Sequence, residues 1–521
     1  MISCSIRPRS DTSVAICVGI FVSVVWIVFT WRYGFDLSDE GYYWYGTQRI
    51  LRGELPMRDF MGYDIGRYAW TAAVMRLLND DGIVAARVGA ALYQICTVVV
   101  GVMLALRTTA ETLSIYRKFI FAAVVTATLN LWVHPYYKVF DYGTSILLVA
   151  MLVMMLTSQR KIEWFGAGLI LGVAAIMGRN HGIYGAVSAF MLFCYLSVKH
   201  GNAASLIRLI FVFVAGTIVG FSPTFFMGAM IPGFAAGFIA SIVELVNSGS
   251  TNIALPVPWP WMVDRVKSGW LLWVMGIGSG VGFIAIILLP LIAIFILMRR
   301  RLSVLAPAHM LMICSSFVGI AYAHYAYSRA DLTHLALAIA PILLLVLSFS
   351  VRLKYSLLMP SAVLGLSVLT LAPEKAYLAE VMLNKKLATI SIDNTDLYVF
   401  PGVDVRLREI GNVFSALPHS SDNFLAVPDA PGLYAIHKKK MPIWETYSLW
   451  PRDAAFQQEE LVRLRMATPK VVFLSDHALD NRAELRYSKT HPVLYQWIIE
   501  NYEALPEPSP PRSLKIFVKV P

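Results

Sequence analysis

Three carboxylates, Asp36, Asp39 and Glu40, follow closely on an apolar run ending at Trp31. A fourth, Asp141, closes the stretch His134-Pro135-Tyr136-Tyr137-Lys138-Val139-Phe140-Asp141 just where another apolar run begins. A carboxylate at a membrane surface, over a cavity between helices, can take the proton of a hydroxyl as that oxygen attacks the anomeric carbon of a sugar. Asp39 and Glu40 are the candidates for this work. Ser38-Asp39-Glu40 equally suits a helix start, with a capping serine followed by an acidic first turn. Asp141 also has two readings: it orients a substrate or holds a metal alongside Asp39, or it is an acid at the positive end of a helix dipole.

Cations of the right kind stand in other connectors. Lys138, Arg179, His181, Arg329 and His334 are candidates for binding a phosphate leaving group, whose negative charge grows in the transition state and is stabilised by preorganised positive groups. Taken singly, each also reads as a snorkelling or capping residue. Arg329-Ala330-Asp331-Leu332-Thr333-His334 is the most informative stretch, because Arg, Asp and His at the mouth of an apolar helix pair are costly to keep without a partner. Asp36, Tyr42 and Asp331 are candidates for orienting the substrates.

The elements that must position these residues are membrane helices. Of the 521 residues 57% are hydrophobic and only 15% charged, against about a quarter charged in soluble proteins. Runs beginning near Ser13, Ile83, Phe119, Gly143, Trp164, Gly182, Leu209, Trp270, Ala306, Leu332 and Tyr355 predict about eleven transmembrane helices. The first, 13–31, lacks a small-residue cleavage site and reads as an uncleaved signal anchor. The net charge of +11 comes from short Lys and Arg clusters between apolar runs, a membrane-topology pattern rather than a nucleic-acid footprint. With the N-terminus inside, the cytoplasmic segments collect Arg7, Arg9, Arg107, Arg117, Lys118, Arg160, Lys161, Lys199, Arg208, Arg299, Arg300, Arg301, Arg352 and Lys354, while the short outside loops hold only Lys138, Arg179 and Arg329. That orientation brings the acidic and cationic clusters to one membrane face. Five cysteines, none after Cys314, imply neither a disulfide nor a zinc framework.

The predicted organisation is a transmembrane domain over 1–373 and an extracytoplasmic α/β domain over 374–521, where the composition turns charged and mixed. The outside loop 32–81 reads as two amphipathic interfacial helices, 40–51 and 67–78, anchored by Tyr42, Tyr43, Trp44, Tyr68 and Trp70. The long outside loop 232–269 has an apolar half and then Pro256-Val257-Pro258-Trp259-Pro260-Trp261, read either as a mobile lid or lipid-facing plug or as a passive interfacial loop. Strands are expected at 423–427, 470–474 and 513–518, and helices at 456–466 and 492–502. In the same domain Lys438-Lys439-Lys440, Trp444 and Trp450 read as guides for an acceptor or as part of a solvated, stabilising lid.

Asp39-Glu40-Gly41-Tyr42-Tyr43, with Ile50-Leu51-Arg52-Gly53-Glu54-Leu55-Pro56 downstream, resembles the first outside loop of the GT-C superfamily of membrane glycosyltransferases, which includes protein O-mannosyltransferases and lipid A aminoarabinose transferases. The resemblance covers the whole architecture and implies a GT-C-like fold with a C-terminal periplasmic domain. It implies that Asp39 is the general base and that Asp141 corresponds to the second acid of these enzymes. It implies a polyprenyl-phosphate sugar as donor, a lipid, glycan or protein as acceptor, inversion at the anomeric centre, no required metal although a divalent ion remains open, and the bacterial inner membrane as location. Hexosyl and pentosyl transfer both fit. Asp36 competes with Asp39 for the base role, and the cluster 329–334 has no counterpart in the better-known branches. The Trp-Trp-Asp type motif of diphosphate-using oligosaccharyltransferases is missing.

Two other classes remain. A transporter or flippase of a lipid-linked saccharide would also put charges around a cavity, although it would ordinarily distribute polar groups through the membrane depth. A scaffold docking partners through its C-terminal domain is the other.

Overall fold

The computed structural model describes residues 9–109, 113–199, 203–248, 252–299, 306–350, 357–417, 419–506 and 514–519. Arg7, Arg300, Arg301, Arg352, Lys354 and the expected span start at Tyr355 lie outside them. The chain divides into two compact units.

The first unit comprises Met1–Trp31, Val88–Pro232 and Val243–Asn384 and is helical. Among the described residues of the chain, seven helices are long and apolar enough to cross a membrane, from Asp11–Thr30 to Pro307–Ser328. Two bent pairs, Leu332–Ala338 with Ala340–Phe349 (60°) and Leu358–Leu371 with Ala376–Leu383 (91°), raise the number to nine. The two other expected spans are Ile115–Leu131 and Lys161–Met177, each of 17 residues and thus near the lower limit of about 17–25 residues for spanning the hydrocarbon.

Two devices hold these helices together where lipid offers no hydrophobic drive. The first is close approach of small residues. A Cβ on Gly168 would lie 2.0 Å from the Phe213 carbonyl oxygen and one on Gly172 2.4 Å from that of Thr217, while one on Gly216 would lie 2.2 Å from that of Phe165. Lys161–Met177 therefore packs backbone to backbone against Ala203–Met230. The second is buried polar pairing: Lys118 donates to Asp11 at 2.7 Å, Gln94 donates to Asn130 at 2.7 Å, and Asn130 donates to Ser23 at 2.9 Å.

The second unit is assembled from three stretches, Arg32–Arg87, Gly233–Ile242 and Lys385–Pro521. Its sheet runs Phe424–Val427, Val471–Leu474, Lys515–Lys519, Tyr502–Ala504, with the first pair parallel and the other two antiparallel. The three expected strands are present, and so are the two expected helices, as Ala454–Ala467 and Pro492–Asn501. The sequence reading missed the hairpin Ala388–Ile392 and Thr395–Val399, whose two turn residues Asp393 and Asn394 both have positive φ, the two-residue turn that matches strand twist.

The expected composition boundary at 373/374 falls before the division of the units at Asn384/Lys385, and 32–87 is grouped with the C-terminal residues. Side chains explain this. Asp39–Leu51 is not a surface helix, because Glu40 through Arg49 are all buried. Gly41 lies so close to Gly432 that a Cβ would come within 2.3 Å of its backbone nitrogen. Gln48 donates to the Ala435 carbonyl at 3.2 Å, and the Met441 backbone N–H donates to the Tyr45 hydroxyl at 3.0 Å.

Candidate functional site

In the second unit the acids are sorted by their surroundings. Asp36 accepts the backbone N–H of Ser38 at 2.9 Å and that of Asp39 at 3.2 Å, one on each carboxylate oxygen. Ser38 makes no side-chain cap; its hydroxyl donates to the Asp429 carbonyl oxygen at 2.6 Å. Asp36 therefore starts the helix, a role that sets it apart from its expected competition with Asp39 for the base.

Glu40 is 2% exposed. Arg87 grips it in a fork, Nε to Oε1 at 2.9 Å and Nη2 to Oε2 at 3.1 Å, and also donates to the Gly34 carbonyl at 2.7 Å. Burial raises the Glu40 carboxyl above its ordinary value and the Arg87 charge opposes this. The expectation that Glu40 is catalytic is corrected on this ground, because a carboxylate sealed in an internal ion pair cannot reach a substrate hydroxyl. Asp39, half-exposed in the first helical turn, is the accessible member of the motif.

One turn further on, Tyr42 is buried, with the ring of Tyr63 at 4.7 Å and that of Tyr447 at 5.4 Å. Arg67, also buried, lies 4.4 Å above the Tyr63 ring. Tyr42 thus anchors an aromatic group beside Asp39. The basic run 438–440 is paired with acids of the same unit: Lys438 with Asp81 at 2.7 Å, Lys439 with Asp422 at 2.8 Å and Lys440 with Glu54 at 3.0 Å. Those pairs serve the lid reading of the run better than the acceptor-guide reading.

The first unit holds the other candidates. Asp141, 1% exposed in the first turn of Val139–Thr157, accepts from His181 Nε2 at 3.1 Å and from the Tyr325 hydroxyl at 3.0 Å, both on Oδ1. His181 is fully buried, and its Nδ1 lies 2.9 Å from the Tyr322 hydroxyl. A neutral imidazole donates through one nitrogen and accepts through the other. With Asp141 ionised, Nε2 carries the proton and Tyr322 donates to Nδ1. His181 was expected to bind phosphate; with both ring nitrogens occupied and no exposed surface, it is placed instead as the partner of Asp141.

Asp331 caps Leu332–Ala338, accepting the His334 backbone N–H and the His334 ring, each at 2.8 Å, and Arg329 Nε at 2.9 Å. Arg329 also donates to the Ile253 carbonyl at 3.0 Å. Burial works against ionisation of Asp331, but His334 first and then Arg329 hold its carboxyl below the ordinary value. The His334 ring lies 6.1 Å from that of Tyr325, so one tyrosine touches both the Asp141 group and the Asp331 group. Lys138 ends the short turn Tyr136–Lys138, and Arg179 opens the helix that carries His181. Among the described residues no group of three or more His, Cys, Asp or Glu is placed to hold a metal ion.

Sequence reasoning missed Arg87, Tyr322 and Tyr325. The tyrosines had a visible signal, since Tyr322-Ala323-His324-Tyr325-Ala326-Tyr327 puts polar aromatic groups three residues apart in an otherwise apolar helix. Arg87 had none, because it reads as one more charge at the edge of a span.

No protein-family model and no curated protein sequence matches the chain. Solved structures do. ArnT from Cupriavidus metallidurans bound to undecaprenyl phosphate aligns at 15% identity with a TM-score of 0.54, over 98% of this chain and 97% of that one. The same protein in the apo state aligns at 13% and 0.55 over the same shares. The oligosaccharyltransferase of Archaeoglobus fulgidus in complex with Zn and sulfate aligns at 10% and 0.44, over 97% of this chain and 73% of that one, too loosely to carry an inference. The likeness to ArnT shows the fold: a polytopic helical membrane protein with a C-terminal α/β part, in a GT-C-like arrangement.

Proposed function

We propose that this chain is a glycosyltransferase that moves a sugar from a polyprenyl-phosphate donor to a hydroxyl of a lipid, glycan or protein acceptor. The observation that carries the reading is the chain of polar and ring contacts Asp141–Tyr325–His334–Asp331–Arg329 inside an apolar helical unit, in a fold that ArnT uses with undecaprenyl phosphate bound. Charged groups kept in such a setting are expensive and mark a function.

In this mechanism Asp39 takes the acceptor hydroxyl proton as its oxygen bonds to the anomeric carbon. The bond from that carbon to the phosphate oxygen breaks, and its electron pair leaves with polyprenyl phosphate, inverting the centre. Arg329, His334, Lys138 and Arg179 stabilise the departing charge. Asp141, as buried as Glu40, acts through Tyr325, which it holds beside His334, and Asp331 fixes Arg329 and His334. Glu40 and Asp36 hold the backbone that presents Asp39. The mechanism requires no metal ion. The chain lies in a bacterial inner membrane, with the N-terminus cytoplasmic and the C-terminal residues 374–521 periplasmic.

The test uses the full chain in lipid nanodiscs with a panel of polyprenyl-phosphate sugars and candidate acceptors, following release of free polyprenyl phosphate. Release by wild type and its loss in a folded Asp39→Asn chain support the reading. Lipid-linked sugar that crosses the bilayer unconsumed would replace it with transport.

A further inference from the structure

Lys375 joins the two halves of a broken helix. It stands between Leu358–Leu371 and Ala376–Leu383, which meet at 91°, and it is the N-cap residue of the second, where its side chain makes no capping bond. A cation is the wrong charge for that position, since the helix dipole already places positive charge at an N-terminus. The half-buried ammonium nevertheless has a single protein partner among the described residues, the Val133 carbonyl oxygen at 2.6 Å. No carboxylate lies within ion-pair distance of it there. An ammonium has three N–H donors, so two remain for something else.

Its neighbourhood says what. The next residue after Val133 is His134, which burial, and then the nearby Lys375 charge, hold well below the ordinary histidine range. His134 is therefore neutral and can offer one N–H without adding charge. Asp331, the acid that His134 senses, is committed to Arg329 and His334. No acid compensates Lys375, and burial pulls its ammonium down to about 7, because a lone cation away from water is costly; a ligand anion brought against it holds the charge on.

We propose that Lys375, with His134 beside it, is an anion-binding position that takes a phosphate monoester. Two ammonium N–H groups and a neutral imidazole suit a tetrahedral dianion rather than the flat, singly charged carboxylate. Both a polyprenyl phosphate headgroup and free phosphate carry that chemistry. Identification of the ligand with the lipid carrier rests on the glycosyltransferase reading, whereas the anion site does not.

The experiment is equilibrium binding and thermal unfolding of the full chain in phosphatidylcholine nanodiscs, with undecaprenyl phosphate in one arm and inorganic phosphate in the other. Wild type, Lys375→Gln and Lys375→Arg are compared. The expected result is an affinity loss of about tenfold or more in Lys375→Gln, retention of most affinity in Lys375→Arg, and a ligand-free melting temperature for Lys375→Gln equal to or above wild type, because an unpaired charge has gone. Preference for the lipid form supports the proposal with the carrier as ligand; equal binding of inorganic phosphate supports it with phosphate alone as the determinant. Unchanged affinity in Lys375→Gln overturns it, and so does a lowered ligand-free melting temperature with unchanged phosphate stabilisation, which would make Lys375 a tie to Val133. Binding requires no turnover, so a chain that binds through Lys375 but transfers no sugar keeps this inference and loses the proposed function.

Discussion

At the scale of residues, neighbouring acids have been given different work by their hydrogen bonds. Asp39→Asn is expected to lower kcat by about 10²–10⁴, the range for losing a general base, with the melting temperature unchanged, as read by polyprenyl phosphate release and thermal unfolding. His181→Asn is expected to act only through Asp141: its effect on kcat disappears in an Asp141→Asn background, which a double-mutant cycle measures. Asp331 carries a pH dependence. Its native carboxyl titrates below the ordinary 3.8, so the unfolded chain binds the proton more readily. The stabilisation is present above that value and is lost as pH falls from there toward the native pKa. Unfolding measured between pH 6 and 3 should show this acid loss in wild type and less of it in Asp331→Asn. The sequence made Asp39, Asp141 and the 329–334 cluster legible as charges out of place among apolar runs. It could not separate Asp39 from Glu40 or Asp36, because that separation depends on Arg87 and on which backbone N–H groups each acid meets.

At the scale of elements, what was legible was periodicity and length. The long apolar runs gave the helices, and the short continuous apolar runs in the charged C-terminal part gave the strands at 424–427 and 471–474, buried on both faces. The burial of Asp39–Leu51 was not legible, since Tyr42, Tyr43, Trp44 and Tyr45 serve an interfacial helix as well as a core helix; the contact of Gly41 with Gly432 decides the matter. The small-residue spacing Gly168-x-x-x-Gly172 facing Gly216-x-x-x-Gly220 was present in the sequence and predicts its own test. Gly168→Leu is expected to destabilise the helical unit by about 3 kcal/mol, the upper end for overpacking, because backbone stands where the side chain must go. Gly365→Ala, in open space on another helix, should leave the melting temperature within error.

At the scale of the whole molecule, a buried carboxylate ties separate segments of the second unit together. Glu445 is fully buried, accepts from Arg452 at 2.6 Å and lies 2.7 Å from His491 Nε2. Glu445→Ala is expected to cost about 3–5 kcal/mol by stranding Arg452, visible as protease cleavage in 385–521 before the helical unit melts. Composition made the existence of this part legible but not its membership, because nothing local in 32–87 announces that its partner segment lies near the other end of the sequence. That discontinuity sets a timetable for biogenesis. Lys385 leaves the ribosome about 300 residues after Arg87, which at about 5–20 residues per second is a wait of roughly 15–60 s. Throughout that interval the tyrosine-rich Asp39–Leu51 segment has no C-terminal unit to bury it, and the cell must shield it with a chaperone or with the membrane surface itself.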